Sequence, residues 1–222
     1  MKINIAIDGP SAAGKSTIAD ELAKKLGYTH LDTGAMYRSV AYEANKEHVS
    51  AEDEEKIVEM ISRMKLEMLA DGRVVLNGED VSDAIRTNEM SMGASNVSKL
   101  NGCRVAMVKM QQDICKEGGY ILDGRDIGTV VLKDAPVKIY MVASAEARAK
   151  RRVEQNKGKG IPSDYDLILE DIKKRDYQDT HREFSPLVKA EDAVEIDTSE
   201  MTIDEVVDRV MSVIEEKTGV LK

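Results

Sequence analysis

The segment GPSAAGKST, residues 9–17, has the composition and spacing of a loop that binds phosphate. It matches the pattern G-x-x-x-x-G-K-[ST], in which glycines let backbone N–H groups converge on phosphate oxygens. Lys15 would reach the β and γ phosphates, and the Ser16 hydroxyl would bind Mg²⁺. The pattern predicts contacts with a nucleoside triphosphate along the whole loop: Gly9, Pro10, Ser11, Ala12, Ala13, Gly14, Lys15, Ser16 and Thr17.

A carboxylate farther along the chain could serve the same metal ion. The apolar run Tyr120–Leu122 is followed by Asp123. An acidic residue at the end of a strand orients Mg²⁺ in P-loop NTPases, here through a water molecule. The alternative is that Asp123 is a turn residue before Gly124 with no metal-binding role. We expect Ser16 and Asp123 to form the metal site.

A first group of arginines, Arg148, Arg151 and Arg152, has the i, i+3, i+4 spacing of one helix face. Three neighbouring positive charges repel one another unless an anion lies among them, so the group indicates a contact with phosphate. The alternative is a solvent-exposed face whose charge is neutralised by Glu146 and Glu154.

A second group, Arg175, Asp179 and Arg182, has the spacing i, i+4 and i+7. It could be a routine ion pair on a helix surface, worth about 0.3–0.5 kcal/mol. A small-molecule kinase, however, needs a second anion site for the acceptor and a means of shielding the γ-phosphate from water. Together with the phosphate loop, the two groups meet both needs.

Apolar runs and helical patterns alternate along the chain, as in α/β proteins. Strands are predicted at Ile3–Ile7, Tyr28–Leu31, Tyr120–Leu122, Val137–Val142 and Ala193–Ile196. Helices are predicted from Lys15 to a stop at Gly27, at Gly34–Lys46, Glu52–Met64, Asn88–Val97, Asn101–Lys116 and Tyr165–Asp179, after Ser144, and after the capping box of Thr202 and Glu205. This order predicts a five-stranded parallel sheet with helices on both faces.

One segment interrupts the alternation. The apolar runs Leu66–Leu69 and Arg73–Leu76 flank Ala70, Asp71 and Gly72, and Asp-Gly between two such runs is a strong signal for a β-hairpin. We therefore predict that residues 63–81 form a small insertion in a single domain, which 222 residues can supply.

The bulk composition argues against several classes of partner. The chain has 33% charged residues, a formal net charge of −9 and a pI near 5.0, whereas nucleic-acid-binding surfaces are normally basic. No apolar run approaches the roughly 18 residues needed to cross a bilayer, and the N-terminus has no signal-peptide pattern. Cys103 and Cys115 suggest no disulfide framework. We expect a cytoplasmic protein with no nucleic-acid or membrane partner.

Other P-loop proteins have signatures that this sequence lacks. A GTPase needs Asn-Lys-x-Asp to recognise guanine, but the nearest segment, residues 156–159, has lysine in place of the carboxylate. The Ser-Gly-Gly signature of transport ATPases is also missing. These comparisons leave a small-molecule kinase, with AMP, UMP or shikimate as alternative acceptors. A regulatory ATPase is an alternative of a different class.

Three segments together resemble the bacterial cytidylate kinase family: residues 8–17, Leu31–Arg38 and Asp123–Val131. Their order and spacing agree with the family along nearly the whole chain, as do the inserted hairpin and Ala135–Ile139. The resemblance implies a nucleoside-monophosphate kinase that transfers the γ-phosphate of ATP to CMP or dCMP, with Mg²⁺. It also implies one P-loop kinase domain: a core at about 1–33, 118–147 and 190–222, an acceptor-binding region at 34–117, and a lid with its following helix at 148–189.

The resemblance also implies roles for individual residues. On the donor side, Arg148 would lie near the base of ATP, Arg151 would also contact ATP, and Arg152 would contact the transferring phosphate. The residues implied on the acceptor side are Arg38, Arg125 and Arg182 for the phosphate, Arg175 and Asp179 around the ribose and phosphate, Ser95, Arg104 and Asp126 at the cytosine edge, and Thr33 and Tyr37 elsewhere in the site. The catalytic set would be Lys15, Arg125, Arg152 and Arg182. Ser16 is a departure, because some relatives have glycine there.

The chemistry of cytosine is consistent with this assignment of Asp126. A carboxylate can accept a hydrogen bond from the exocyclic amine of cytosine, while arginine donates to N3 and O2. Uracil has a carbonyl oxygen in place of that amine, so two electron-rich groups would face each other. We therefore expect the kinase to prefer CMP and dCMP to UMP. We also expect a monomer that transfers phosphate directly, without a phosphoenzyme.

Overall fold

The computed structural model of the chain describes residues 2–69, 71–158 and 160–219. Ala70, in the predicted hairpin turn, and Lys159, in the predicted lid, lie outside these ranges. The chain divides into two compact units, of which the first comprises Met1–Tyr28 with Gly119–Lys222 and the second comprises Thr29–Gly118. No helix in the described ranges is both long enough and apolar enough to cross a bilayer.

The strands, numbered in chain order, are β1 (Ile5–Asp8), β2 (Thr29–Asp32), β3 (Leu66–Met68), β4 (Val74–Leu76), β5 (Glu79–Asp80), β6 (Tyr120–Gly124), β7 (Val137–Val142) and β8 (Val194–Asp197). Five of them form a parallel sheet in the order β2-β6-β1-β7-β8, which confirms the predicted fold class. Ile7 of β1 is in register with Asp123 on one side and Ile139 on the other. Parallel register brings the carboxyl ends of these strands to one edge of the sheet, where ligands of α/β proteins bind.

The helices are α1 (Lys15–Leu26), α2 (Thr33–Lys46), α3 (Glu54–Arg63), α4 (Asn88–Val97), α5 (Asn101–Ile114), α6 (Ala145–Gly158), α7 (Tyr165–His181) and α8 (Ile203–Thr218). In the first unit, α1 and α8 bury apolar side chains such as Ile18 and Val210 against the sheet. Gly27 ends α1 in the left-handed conformation with φ of 64°, and Thr202 and Glu205 form the expected capping box. Ser144 accepts a hydrogen bond from the N–H of Ala147, so its predicted cap is confirmed.

The second unit contains α2 to α5 and the inserted sheet, in which the strand order is β3-β4-β5. The predicted hairpin is confirmed, because β3 and β4 are antiparallel and pair Leu66 with Leu76. The third strand, β5, was not predicted. Its two residues, Glu79 and Asp80, are charged and exposed, so they have no apolar pattern that could indicate a strand.

Several boundaries differ from the predicted ones because capping residues decide where an element begins. Strand β2 starts one residue late, since the N–H of Tyr28 bonds to the carbonyl of Ala23 and completes the end of α1. Helix α2 starts at Thr33 because the side chain of Asp32 accepts the N–H of Ala35. A π-helical turn at Ile127–Val131 also lay outside the prediction.

Candidate active site

The phosphate loop connects β1 to α1, and three of its residues have positive φ angles. Gly9, Ala12 and Gly14 have positive φ angles of 152°, 59° and 91°. A Cβ atom on Gly9 would collide with the carbonyl of Met141, so only glycine fits there. Such backbone forms a concave nest of N–H groups, and the positive end of the α1 dipole adds to it. The loop therefore has the geometry expected of an anion site.

Lys15, the first residue of α1, lies buried beside this loop. Its side chain is 5% exposed, and Nζ donates to the carbonyl oxygen of Pro10 at 2.8 Å. Burial, followed by the positive charge of Arg125, lowers the pKa of Lys15 to about 7. A phosphate nearby would favour the protonated amine, because its negative charge would replace the solvation that Lys15 loses on burial.

Ser16 and Asp123 come together at the end of β6. The Ser16 hydroxyl donates to Oδ2 of Asp123 at 2.9 Å, and the Asp123 side chain is buried. Hard cations such as Mg²⁺ prefer oxygen ligands of this kind, and Mg²⁺ needs only one or two protein oxygens beside phosphates and water. The two side chains therefore fit a Mg²⁺ ion, although they were predicted from positions 107 residues apart.

Arg125 follows β6 and pairs with Asp179 on α7. Its Nε lies 2.7 Å from Oδ2 of Asp179, with both side chains about four-fifths buried. Burial alone would raise the pKa of Asp179, but the charges of Arg125, Arg182 and Arg175 together lower it. The local ion pair that the spacing of Arg175 and Asp179 suggests is thus not the main one, since Asp179 bonds to an arginine 54 residues away.

Arg182 follows α7 and lies near Asp126. Its Nη2 is 3.9 Å from Oδ1 of Asp126, and its Nε donates to the carbonyl of Ser185 at 2.7 Å. Both charged side chains are nearly buried, at 11% and 8% exposure. The first unit therefore brings Arg125, Asp126 and Arg182 into one network of charged groups with Asp179.

The three arginines of α6 point to different partners. Arg148 is 4% exposed and forms a bidentate pair with Asp176 of α7, at 2.9 and 2.5 Å. Its Nη1 also donates to the carbonyl of Ser11 in the phosphate loop at 3.1 Å. Glu146 pairs instead with Lys173, at 3.5 Å. Arg148 is therefore anchored at the phosphate loop, and its expected contact with the base of ATP stays a prediction.

Arg151 and Arg152 differ in their surroundings. Arg151 donates to the backbone carbonyls of Thr198 and Ser199, just after β8. Arg152 donates to the side chain of Gln155 at 3.0 Å in an exposed part of the helix. This bond ties the Arg152 side chain to its own helix, whereas Arg151 holds α6 to the loop after β8.

The remaining predicted residues belong to the second unit. Arg38 pairs with Asp32 at 2.9 Å, and the guanidinium of Arg104 lies 5.8 Å from the ring centroid of Tyr37. Arg104 is 3% exposed and donates to the carbonyl of Ser98 at 3.2 Å. The other two predicted residues of this unit lie on its helices, Thr33 at the start of α2 and Ser95 in α4.

Known proteins are similar to this chain along almost its whole length. The family model described as "Cytidylate kinase" matches residues 5–216. The chain belongs to the cytidylate kinase family. A curated cytidylate kinase from Bacillus subtilis is 50% identical over 220 residues, which cover 98% of each chain. One from Caldicellulosiruptor bescii is 53% identical over 213 residues, covering 95% of this chain and 94% of the other.

Two solved structures are similar to this chain in fold. A gluconokinase from Sinorhizobium meliloti has a TM-score of 0.51 at 12% identity, covering all of this chain and 97% of the other. A shikimate kinase from Bacteroides thetaiotaomicron has a TM-score of 0.50, also at 12% identity, covering 96% and 98%. Likeness at this identity supports the fold and carries no information on the acceptor.

Two carboxylates near the family motifs escaped the sequence prediction. Asp176 lies next to Arg175 and pairs with Arg148, and no local spacing could have indicated a partner 28 residues away. Asp8 bonds to the backbone of Ile127 and Gly128 across the sheet. A charged residue ending an apolar strand was the one available signal for Asp8.

Proposed function

We propose that this member of the cytidylate kinase family transfers the γ-phosphate of ATP to CMP or dCMP, giving ADP and CDP or dCDP. The observation that carries the proposal is the family match across residues 5–216, with relatives about half identical over nearly the full length. The geometry of the first unit supports it, because a phosphate loop and a network of buried arginines and carboxylates are the two anion sites that such a transfer needs.

On the donor side, residues 9–17 would bind the phosphates of ATP. Lys15 would contact the β and γ phosphates, and charge on those phosphates would favour its protonated form. Ser16 and Asp123 would hold Mg²⁺, which would neutralise phosphate charge during the transfer. Arg148 would support the loop through Ser11, while Arg151 and Arg152 would contribute to the donor site from α6.

On the acceptor side, Arg125 and Arg182 would bind the phosphate of CMP, with Arg175 and Asp179 beside the ribose. The resemblance to the family implies that CMP is also contacted by Arg38, Arg104, Ser95, Thr33 and Tyr37. Asp126, which lies 3.9 Å from Arg182, would accept a hydrogen bond from the cytosine amine. Transfer would be direct and in line, with Lys15, Arg125, Arg152 and Arg182 offsetting the charge of the transition state.

A coupled assay for ADP with a panel of acceptors tests the proposal. The purified chain, with ATP and Mg²⁺, should turn over CMP and dCMP, and should use UMP about 10- to 100-fold less efficiently, the range given by one or two lost base contacts. AMP and shikimate should stay near background. Equal kcat/KM for CMP and UMP would show that the base assignment is wrong.

A pair of variants tests the role of Asp126. Asp126→Asn places an amide donor opposite the cytosine amine, so kcat/KM for CMP should fall at least tenfold while that for UMP should fall less or rise. The control is Asp134→Asn, the same change at an exposed aspartate near the same turn. The control should leave the CMP-to-UMP ratio unchanged. An unchanged ratio in Asp126→Asn would remove Asp126 from the base contact.

We also propose that the enzyme acts in the cytoplasm as a monomer. Cys103 and Cys115 are buried and form no disulfide, which is compatible with a reducing compartment, and burial raises the pKa of each to about 12. Light scattering coupled to gel filtration should give a mass near 24.5 kDa. A mass of twice that value would contradict the monomer.

A further inference from the structure

The carboxylate of Asp8 binds the start of the turn that follows β6. Asp8 is the last residue of β1 and is 4% exposed. Its Oδ1 accepts the N–H of Ile127 at 2.8 Å, and its Oδ2 accepts the N–H of Gly128 at 2.7 Å. Each oxygen thus holds one of the first two amides of the π-helical turn at Ile127–Val131. Such a pair of bonds fixes both the position and the orientation of the turn.

The turn also packs closely against the side chain of Lys138. A Cβ atom added to Gly128 would lie 3.1 Å from Cδ of Lys138 and 3.4 Å from Oδ2 of Asp8, so the absence of a side chain allows this approach. Inside the turn, the N–H of Val130 bonds to the carbonyl of Asp126 at 2.9 Å. Asp126 is therefore tied by its own backbone to the turn that Asp8 holds.

Burying the ionisable side chain of Asp8 carries a free-energy cost. Burial raises the pKa of Asp8 to about 6, although the two N–H bonds and the charge of Lys15 act in the opposite direction. A neutral group of similar size would avoid that cost but could not accept from both amides with two separate oxygens. The carboxylate supplies two oxygens, each of which accepts one backbone N–H.

We propose that Asp8 is a positioning residue, which sets the acceptor contacts Arg125 and Asp126 in register with the phosphate loop. The loop begins at Gly9, the residue after Asp8, so one side chain joins the donor segment to the acceptor segment within the first unit. The inference rests on the proposed function, which assigns the acceptor phosphate to Arg125 and the cytosine edge to Asp126. The proposal assigns Asp8 no contact with either substrate.

The test is Asp8→Asn, which keeps the volume and replaces one acceptor oxygen with an amide donor. One amide of the turn then loses its partner and the turn shifts. A displacement of about 1 Å can reduce turnover on the order of 100-fold. We expect kcat/KM for CMP to fall at least 30-fold and the CMP-to-UMP ratio to fall at least tenfold, while KM for ATP changes less than about threefold.

Two further variants keep the test decisive. Gly128→Ala perturbs the same contact from the turn side and should show the same signature in milder form, with a three- to tenfold fall in the CMP-to-UMP ratio. Asp53→Asn is the control, since Asp53 also accepts a backbone N–H, that of Lys56, but at the start of α3 in the second unit. Its ratio and its KM for ATP should match the wild type.

The outcomes separate this inference from the proposed function. A wild-type protein that does not phosphorylate CMP refutes the proposed function and the inference with it. A wild-type protein that prefers CMP, with Asp8→Asn and Gly128→Ala losing activity equally toward CMP and UMP or losing none, refutes only the inference. In that case Asp8 stabilises the fold without positioning the acceptor contacts.

Discussion

Binding of a nonhydrolysable ATP analogue should deliver a proton to Lys15. In the free protein, burial lowers the pKa of Lys15 to about 7. At pH 8, one unit higher, about nine-tenths of the protein molecules would therefore carry the neutral amine. Phosphate charges next to Nζ would restore the pKa toward the ordinary value of 10.5 for lysine. Each binding event at pH 8 should then take up about 0.9 proton.

Isothermal titration calorimetry in buffers of different ionisation enthalpy measures this uptake as the slope of the observed enthalpy. At pH 8 the carboxyl of Asp8, whose pKa is about 6, is already ionised and makes little contribution. The uptake should be about 0.9 proton at pH 8 and about 0.5 at pH 7, as the pKa of 7 requires. Because the complex binds the extra proton, affinity should fall as pH rises, by close to tenfold between pH 8 and pH 9.

Lys15→Met is the matched control, since it keeps an unbranched side chain one atom shorter than lysine and cannot titrate. Its analogue binding should be weaker and should take up close to no proton. An uptake below about 0.1 in the wild type at pH 8 would show that Lys15 is already charged in the free protein. Full uptake in Lys15→Met would assign the proton to another group.

Three other changes have distinct expected results. Asp176→Ala leaves the buried Arg148 without its carboxylate and should lower the free energy of unfolding by about 3 kcal/mol in urea titrations. The control Glu146→Ala breaks an exposed ion pair between α6 and α7 and should lower the free energy of unfolding by less than about 0.5 kcal/mol. Equal losses in the two variants would contradict the role given to burial. Ser16→Ala should raise the Mg²⁺ concentration for half-maximal rate several-fold, and an unchanged Mg²⁺ titration would remove Ser16 from the metal site. Arg182→Ala should reduce kcat/KM for CMP at least 100-fold with KM for ATP nearly unchanged. The control Arg209→Ala, which changes an exposed side chain of α8, should match the wild type in steady-state kinetics. Unaltered kinetics in Arg182→Ala would exclude it from the acceptor site.

Local patterns were sufficient to predict most of the fold. The periodicity of residues 88–97 and the apolar run Val137–Val142 predicted α4 and β7 with their observed bounds. The glycine loop was recognisable because its backbone requirements restrict the residue types that fit. Observed helix boundaries differ from the predicted ones where a side chain such as Asp32 caps the helix, because the apolar pattern does not reveal which residue is the cap.

Apart from the pairing of Ser16 with Asp123, the contacts between distant segments were not predicted from the sequence. The spacing of Arg175 and Asp179 suggested a local ion pair, but Asp179 bonds to Arg125, which precedes it by 54 residues. The contact between Asp8 and Ile127 spans 119 residues. Helical spacing reports only on neighbours within one turn. Such partners become visible only when the sheet brings the ends of its strands together.

The most direct test of the central claim follows the labelled γ-phosphate of ATP. With CMP present, the wild-type protein should move the label into the β-phosphate of CDP, in amounts equal to the ADP formed. Without an acceptor, little inorganic phosphate should appear. Release of the label as inorganic phosphate at the same rate with and without CMP would identify an ATPase and contradict transfer to cytidylate.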